Sequence, residues 1–239
     1  MKSIGLIGGM SWESTAIYYK ELNERVNKTL GGLHSAKIHL TSVDFAEIAD
    51  LQKQEKWEEA GKRLGHVAKH LEAAGADFIL ICTNTMHKVA EQVETHITVP
   101  LLHIADVTGT KITENKLKKI GLLGTQFTME QAFYTDRLAE KFDIEVVTPD
   151  LSKRQEIHRI IFEELCKGKC LPASKAFYLE TIKSMEAEGI EAVILGCTEI
   201  GMLITENDLQ QAGLNLPVYD TTLIHVEKAV EEALKDSSS

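Results

Sequence analysis

The chain repeats itself, and that repeat limits what it can fold into more than any other feature. Residues 4–22 (IGLIGGMSWESTAIYYKEL) align with residues 120–138 (IGLLGTQFTMEQAFYTDRL), 116 positions apart and identical at seven of 19 sites. AGADFILICTNT aligns with EGIEAVILGCTE at an offset of 114, through Gly75 and Gly189. TVPLL aligns with NLPVY at an offset of 117, through Pro100 and Pro217. Three anchors in one order and at nearly constant spacing imply two homologous halves, so whatever one half forms the other must form too.

Each half alternates short apolar runs with longer amphipathic ones. The runs SIGLIGG, KIHLTSVD, DFILIC, VPLLHI, KIGLLG, IEVVTP, AVILGC and LPVYD are almost continuous in Ile, Leu and Val, as expected of strands buried on both faces of a parallel sheet. Between them, Ser11 can cap a helix reaching Leu30, with Gly31 and Gly32 ending it. EEAGKRLGHVAKHLEAAG precedes DFILIC, and the pair KRQEIHRIIFEELCKG and SKAFYLETIKSMEAEG precedes AVILGC. The pattern predicts an α/β chain of two pseudo-symmetric lobes, each a mostly parallel sheet flanked by helices. The expected lobes are 1–104 with 216–239, and 105–215. Open α/β sheets bind ligands at the carboxyl ends of their strands, so the active site is expected in the cleft between the lobes.

The 239 residues carry a formal charge of −10, with 44% hydrophobic and 26% charged side chains. The acidic excess argues against nucleic acid as a partner and favours a small molecule. No apolar run approaches the ~20 residues that span a bilayer. MKSIGLIGGM enters a strand pattern at once. Cys82, Cys166, Cys170 and Cys197 contain no C-x-x-C pair, so reduced thiols in a cytoplasm are expected. Cys166 and Cys170, four apart at a helix end, have too few neighbouring ligands for a metal and read as packing or surface residues. IGLIGG lacks the G-x-G-x-x-G spacing of a dinucleotide site. The lysine-rich NKLKK reads as a solvated loop, and the closing SSS as a frayed tail.

Four loops follow the equivalent strands: GGMS, TNTMH, GTQFT and CTEIG. The offset of 114 places Thr83, not Cys82, opposite Cys197. Two related loops, one from each half, suit a reaction in which one group removes a proton from one face of a carbon and another delivers a proton to the opposite face. Cys197 suits the base, provided polar and partly positive surroundings make its thiolate accessible. Cys82, one residue before Thr83, points the other way along a strand and reads as core. His87 is placed to orient the TNT loop or to fill an ordinary core or surface position.

With this spacing, GGMSWEST, TNTMH, LLGTQFTM and GCTEI resemble the aspartate/glutamate racemase family over essentially the whole chain. These racemases work without pyridoxal phosphate. The resemblance implies two α/β lobes, a cleft site, two-base proton transfer at an amino-acid α-carbon without cofactor or metal, and a homodimer. Glutamate racemases of the same superfamily carry a D-S-G-x-G first loop; GGMSW replaces it here, which favours the aspartate branch. The typical first motif is CNTxH. Thr83 in its place, with TNTMH and GCTEIG, is similar to the sub-branch of L-aspartate/glutamate-specific racemases. Thr83 and Cys197 are then the catalytic pair. Asn84, Thr85, Thr125 and Thr198 would hold the substrate α-carboxylate, and Met10, Thr128 and Glu199 would complete the shell, with Glu199 near the ammonium. Gln52, from a loop, is a candidate for the side-chain carboxylate. The arginine and lysine that usually bind that carboxylate have no clear equivalent, so aspartate and glutamate both stay open. Other readings are a cousin acting on hydantoins or dicarboxylates, and a non-catalytic protein that binds an acidic ligand.

Overall fold

A computed structural model describes residues 1–235; the terminal SSS lies outside the described residues. The chain divides into two compact units. One comprises Met1–Ile104 and the chain from His225 onward, and the other Ala105–Ile224.

In the first unit three parallel strands, β1 (Ile4–Gly8), β2 (Ile38–Ser42) and β3 (Phe78–Ile81), lie in the order β2-β1-β3. Alternation along β3 sends its side chains to two separate cores. Ile79 and Ile81 pack with Ile48, Leu64, Ala68 and Met86, whereas Phe78, Leu80 and Cys82 pack with Tyr18, Leu22, Val26, Val226 and Ala229. Both faces are thus covered, which is why the strands read as unbroken apolar runs. The helix Trp12–Leu30 starts on Ser11, whose side chain accepts from Ser14 N–H, and ends at Gly31 with φ 74°.

In the second unit four parallel strands, β4 (Lys119–Gly124), β5 (Glu145–Val147), β6 (Ala192–Gly196) and β7 (Val218–Asp220), run in the order β5-β4-β6-β7. Helices Leu151–Glu163 and Pro172–Ala187 precede β6.

The repeat holds at the level of single hydrogen bonds. Ile4 pairs with Phe78, and Ile120 with Ala192. Asp77 N–H donates to Ser3 O at 2.8 Å, and Glu191 N–H to Lys119 O at 2.7 Å. Ile79 N–H donates to Pro100 O at 2.9 Å, and Val193 N–H to Pro217 O at 3.0 Å. The two prolines lack an N–H but keep the carbonyl that this position uses. Gly75 and Gly189 both take positive φ, 99° and 86°, to turn the chain out of a helix. These registers make Thr83 the structural equivalent of Cys197, each following the first residue past Ile81 or Leu195. Cys82 is the equivalent of Gly196.

Two details differ from expectation. VPLLHI contributes a single bridge, Ile79 to Leu101, rather than a strand, because the helix Ile104–Glu114 begins three residues later. The return to the first unit comes after Ile224 and not at 216. β7 pairs with β6, and Thr221 Oγ1 donates to Leu195 O at 2.9 Å, which holds 216–224 to the second sheet.

Candidate active site

The first unit builds its loops around buried backbone contacts. Gly9 turns the chain after β1 at φ 93°, and a Cβ there would meet Val43 O at 2.2 Å. Its N–H donates to Thr15 Oγ1 at 2.8 Å. Ser14 Oγ donates to Cys82 O at 2.8 Å, tying this loop to the end of β3. The Met10 side chain is buried in the same core as Met86. Thr83 is half-buried, and Asn84 and Thr85 are buried at the start of the 3-10 turn Thr85–Val89.

Histidines brace that turn from behind. Ile104 N–H donates to His87 Nε2 at 3.3 Å, which leaves the proton on Nδ1; Nδ1–H donates to Thr83 O at 2.8 Å. His225 Nε2–H donates to Leu102 O at 2.8 Å, and its Nδ1 accepts from Tyr18 O–H at 2.8 Å. The His87 ring lies 4.7 Å from that of His103 and 5.9 Å from that of His225. Burial, with His87 nearby, pushes His225 down to about 3. This histidine stays neutral, as its two hydrogen bonds require. Of this network, only His87 carries a signal in the sequence, as part of TNTMH.

Gln52 is placed otherwise than expected. It lies on the helix Phe45–Lys53 rather than a loop, is buried, and its Nε2 donates to Met86 Sδ at 3.0 Å. Cys82 lies wholly within the second core of this unit, where burial alone pushes its thiol up.

In the second unit the loop after β4 is closed by Thr125, which caps the helix Gln126–Glu130; Thr125 and Thr128 hydroxyls lie 3.1 Å apart. Thr128 is fully buried and packs against Gly124 and Gly196, which face each other across the sheet. Side chains at either glycine would crowd the neighbouring strand. His158 Nδ1 accepts from Gln126 N–H at 3.1 Å and braces this loop too. Burial holds His158 below its ordinary range.

After β6 the chain presents Cys197, Thr198 and Glu199. Cys197 is 8% exposed and Glu199 2%. The Cys197 thiol donates to Glu199 Oε2 at 3.0 Å, and Thr198 Oγ1 donates to the same oxygen at 2.8 Å. Cys166, from the 3-10 turn Leu165–Lys167, donates to Glu199 Oε1 at 3.8 Å. The expectation of partly positive surroundings is therefore corrected. Burial first, then the Glu199 carboxylate and Cys166, hold the Cys197 thiol well above its ordinary range. At rest Cys197 is a thiol that donates a hydrogen bond to Glu199. Tyr178 is buried beside this cluster, and its hydroxyl has no hydrogen-bond partner among the described residues. No group of three or more His, Cys, Asp or Glu among the described residues is placed to hold a metal ion. Among them, too, no helix is long and apolar enough to cross a membrane.

A duplicated α/β chain with a proton-bearing side chain at the same strand end of each half has the build of a racemase. Residues 7–229 match the Asp/Glu/Hydantoin racemase family, to which the chain belongs, and the protein is an amino-acid racemase by class. The solved structures it resembles include a candidate Asp/Glu racemase from Yersinia pestis, at 51% identity and TM-score 0.89, covering 98% of this chain and all of that one. An aspartate racemase homologue from Pyrococcus horikoshii matches at 38% identity and TM-score 0.82, covering 98% and 99%. The broad specificity amino-acid racemase RacX of Bacillus subtilis is 22% identical over 97% of this chain and 98% of its own.

Proposed function

We propose that the protein racemises aspartate, glutamate or both, with Thr83 and Cys197 as the two proton-transfer groups and no cofactor. One observation carries this reading: the strand registers make Thr83 and Cys197 equivalent residues of a duplicated fold. The reading requires the two residues to act on opposite faces of one α-carbon.

The electrostatics give Cys197 its mechanism. A thiol held high is a poor base alone. A substrate ammonium nearby would favour the thiolate by opposite charge, and the Cys197 proton already points along its hydrogen bond to Glu199. Proton transfer from Cys197 to Glu199 then leaves a thiolate to take the α-proton. In the return direction the thiol delivers its proton to the carbanion. By family resemblance Cys197 meets the proton of the L-enantiomer, and Thr83 serves the other face. Thr83 is a weak acid and a weaker base, so its face is the slower one.

Hydroxyls and backbone N–H groups of Asn84, Thr85, Thr125 and Thr198 are the proposed binders of the α-carboxylate. Thr128 supports Thr125 from below, and Met10 shapes the first loop through its backbone. Glu199 already accepts from three protein donors, so its first role is with Cys197 and any ammonium contact is secondary. Gln52, already donating to Met86, would reach a substrate only by exchanging that bond.

The test is incubation of the purified protein with each enantiomer of aspartate and glutamate in deuterated buffer, read by NMR and chiral chromatography. Inversion with label at the α-carbon is expected. Inversion of a hydantoin, or of neither amino acid, would sink the substrate assignment. Ligand-induced stabilisation without any exchange would identify a binding protein instead.

A further inference from the structure

We propose that Cys166 is the outer member of a proton relay, Cys197–Glu199–Cys166, through which the buried Cys197 thiol exchanges its proton with solvent. The inference rests on the two-base reading above. One carboxylate lies between two thiols, with one oxygen for each: Oε2 accepts from Cys197 at 3.0 Å and Oε1 from Cys166 at 3.8 Å. Cys197 and Glu199 are buried, whereas Cys166 is partly exposed. The path therefore runs from a closed interior to the surface.

The turn that carries Cys166 is held in place from two sides. Glu164, just before it, is buried. Its Oε1 accepts from Arg159 Nη2 at 2.8 Å, on the helix Leu151–Glu163, and its other oxygen accepts from Ser174 Oγ, on the helix Pro172–Ala187. The carbonyl of Glu164 accepts from Lys167 N–H at 2.9 Å and Lys169 N–H at 3.0 Å. Cys170, at the far end, donates to Met202 O at 3.8 Å. Tyr178, with its unpartnered buried hydroxyl, lies within electrostatic reach of both thiols and of Glu164 and Glu199.

The steps balance without electron transfer. The Cys197 S–H bond breaks as an O–H bond forms on Glu199 Oε2. Rotation of the carboxyl group turns the acid proton toward Cys166. That proton passes to the Cys166 sulfur while the proton already on Cys166 leaves to water. The net change is one proton moved from Cys197 to solvent.

A two-base racemase needs this step. Each inversion leaves one group with an extra proton and the other short of one, and the imbalance must be cleared before the next turnover in the same direction. The relay has a direct readout in the fate of the α-proton. When Cys197 takes that proton from the L-enantiomer, the carbanion either recaptures it or finds a solvent deuteron in its place. Only exchange at Cys197 supplies the deuteron without inversion.

The experiment follows L-aspartate and L-glutamate in deuterated buffer, comparing deuterium entering the recovered L-enantiomer with formation of the D-enantiomer. In the parent protein, label is expected to enter faster than inversion occurs. Cys166→Ala should lower the ratio of wash-in to inversion by roughly tenfold or more, as for loss of a placed proton-transfer group. Cys166→Ser keeps a group able to pass a proton and should recover much of the ratio. A purely structural effect would slow both processes together. An unchanged ratio in Cys166→Ala, or a parent in which label enters no faster than inversion, overturns the relay and leaves the racemase reading standing. Absence of both exchange and inversion for every enantiomer overturns the racemase reading, and the relay with it.

Discussion

At position 197 the difference between sulfur and oxygen is the difference between a group that ionises in water and one that does not. The thiol is already pushed up by burial and by Glu199, so there is no margin for a weaker acid. Cys197→Ser should nearly abolish inversion in both directions, measured as initial rates from each enantiomer. Cys82→Ser should do something different. Its hydroxyl would enter a core of Leu80, Tyr18 and Val226, with a stability loss of about 1–3 kcal/mol for a polar group buried without a partner. Inversion by the folded fraction should persist. If the Cys82 variant is the dead one, the assignment of Thr83 as second group is wrong. The same logic gives a gain of function. Thr83→Cys should supply a second thiol and raise deuterium exchange from the D-side; unchanged D-side exchange in that variant would exclude Thr83 from proton transfer.

The loops are held by elements whose polar contacts leave little slack. Gly9 is one such point, since φ 93° and the Val43 carbonyl leave no room for a side chain. Gly9→Ala should cost at least about 1–3 kcal/mol from backbone strain, read by urea denaturation. The histidines behind Thr83 are another. His225 is pushed down to about 3 from an ordinary 6.5, so the unfolded chain binds a proton that the folded one refuses. The contribution is full when both states are neutral, above about 6.5, and stability falls as pH drops from there toward 3. One such proton amounts to about 1.4 kcal/mol per pH unit within that window. Glu232, held down to about 2 by Lys2 and Lys235, adds loss in the same direction only below its ordinary 4.5. In His225→Gln the slope of stability against pH between 4.5 and 6.5 should therefore be shallower by about one proton. An identical slope would mean that His225 is not held neutral. Tyr18, the helix Trp12–Leu30 and the final helix Thr221–Leu234 meet at that histidine, so the effect reports on how the turn carrying Thr83 is anchored.

Across the whole molecule, duplication with unequal ends has a thermodynamic limit. Free L and D enantiomers of a one-centre amino acid have equal free energy in water, so kcat/KM must be the same in both directions whatever the residues. The Thr83 and Cys197 asymmetry can appear only in kcat and KM together, and in isotope exchange. Unequal kcat/KM values for the two directions, measured under one set of conditions, would signal a reaction other than simple inversion. Activity is expected without added pyridoxal phosphate and after exhaustive chelation, since the proposed pair supplies both proton transfers; dependence on either would end the two-base reading.

Much of this was open to reading in the chain alone, because the information is local or repeated. Apolar runs set the parallel strands, Ser11 and Gly31 bound the first helix, and the spacing of Gly75 with Gly189 aligned Thr83 with Cys197. Strand alternation sent Cys82 into the core. Other features depend on residues far apart in sequence, whose proximity no local pattern encodes. The clamp of Cys166 against Glu199, the histidine contacts behind Thr83, and the donation of Gln52 to Met86 all join separate elements. So does the hold of β7 on β6 that carries the chain past 216. The protonation of Cys197 belongs to the same kind. The sequence places a thiol two residues from a carboxylate, but only burial at the end of β6 removes water from around them, and so decides that Cys197 keeps its proton as a thiol donating to Glu199.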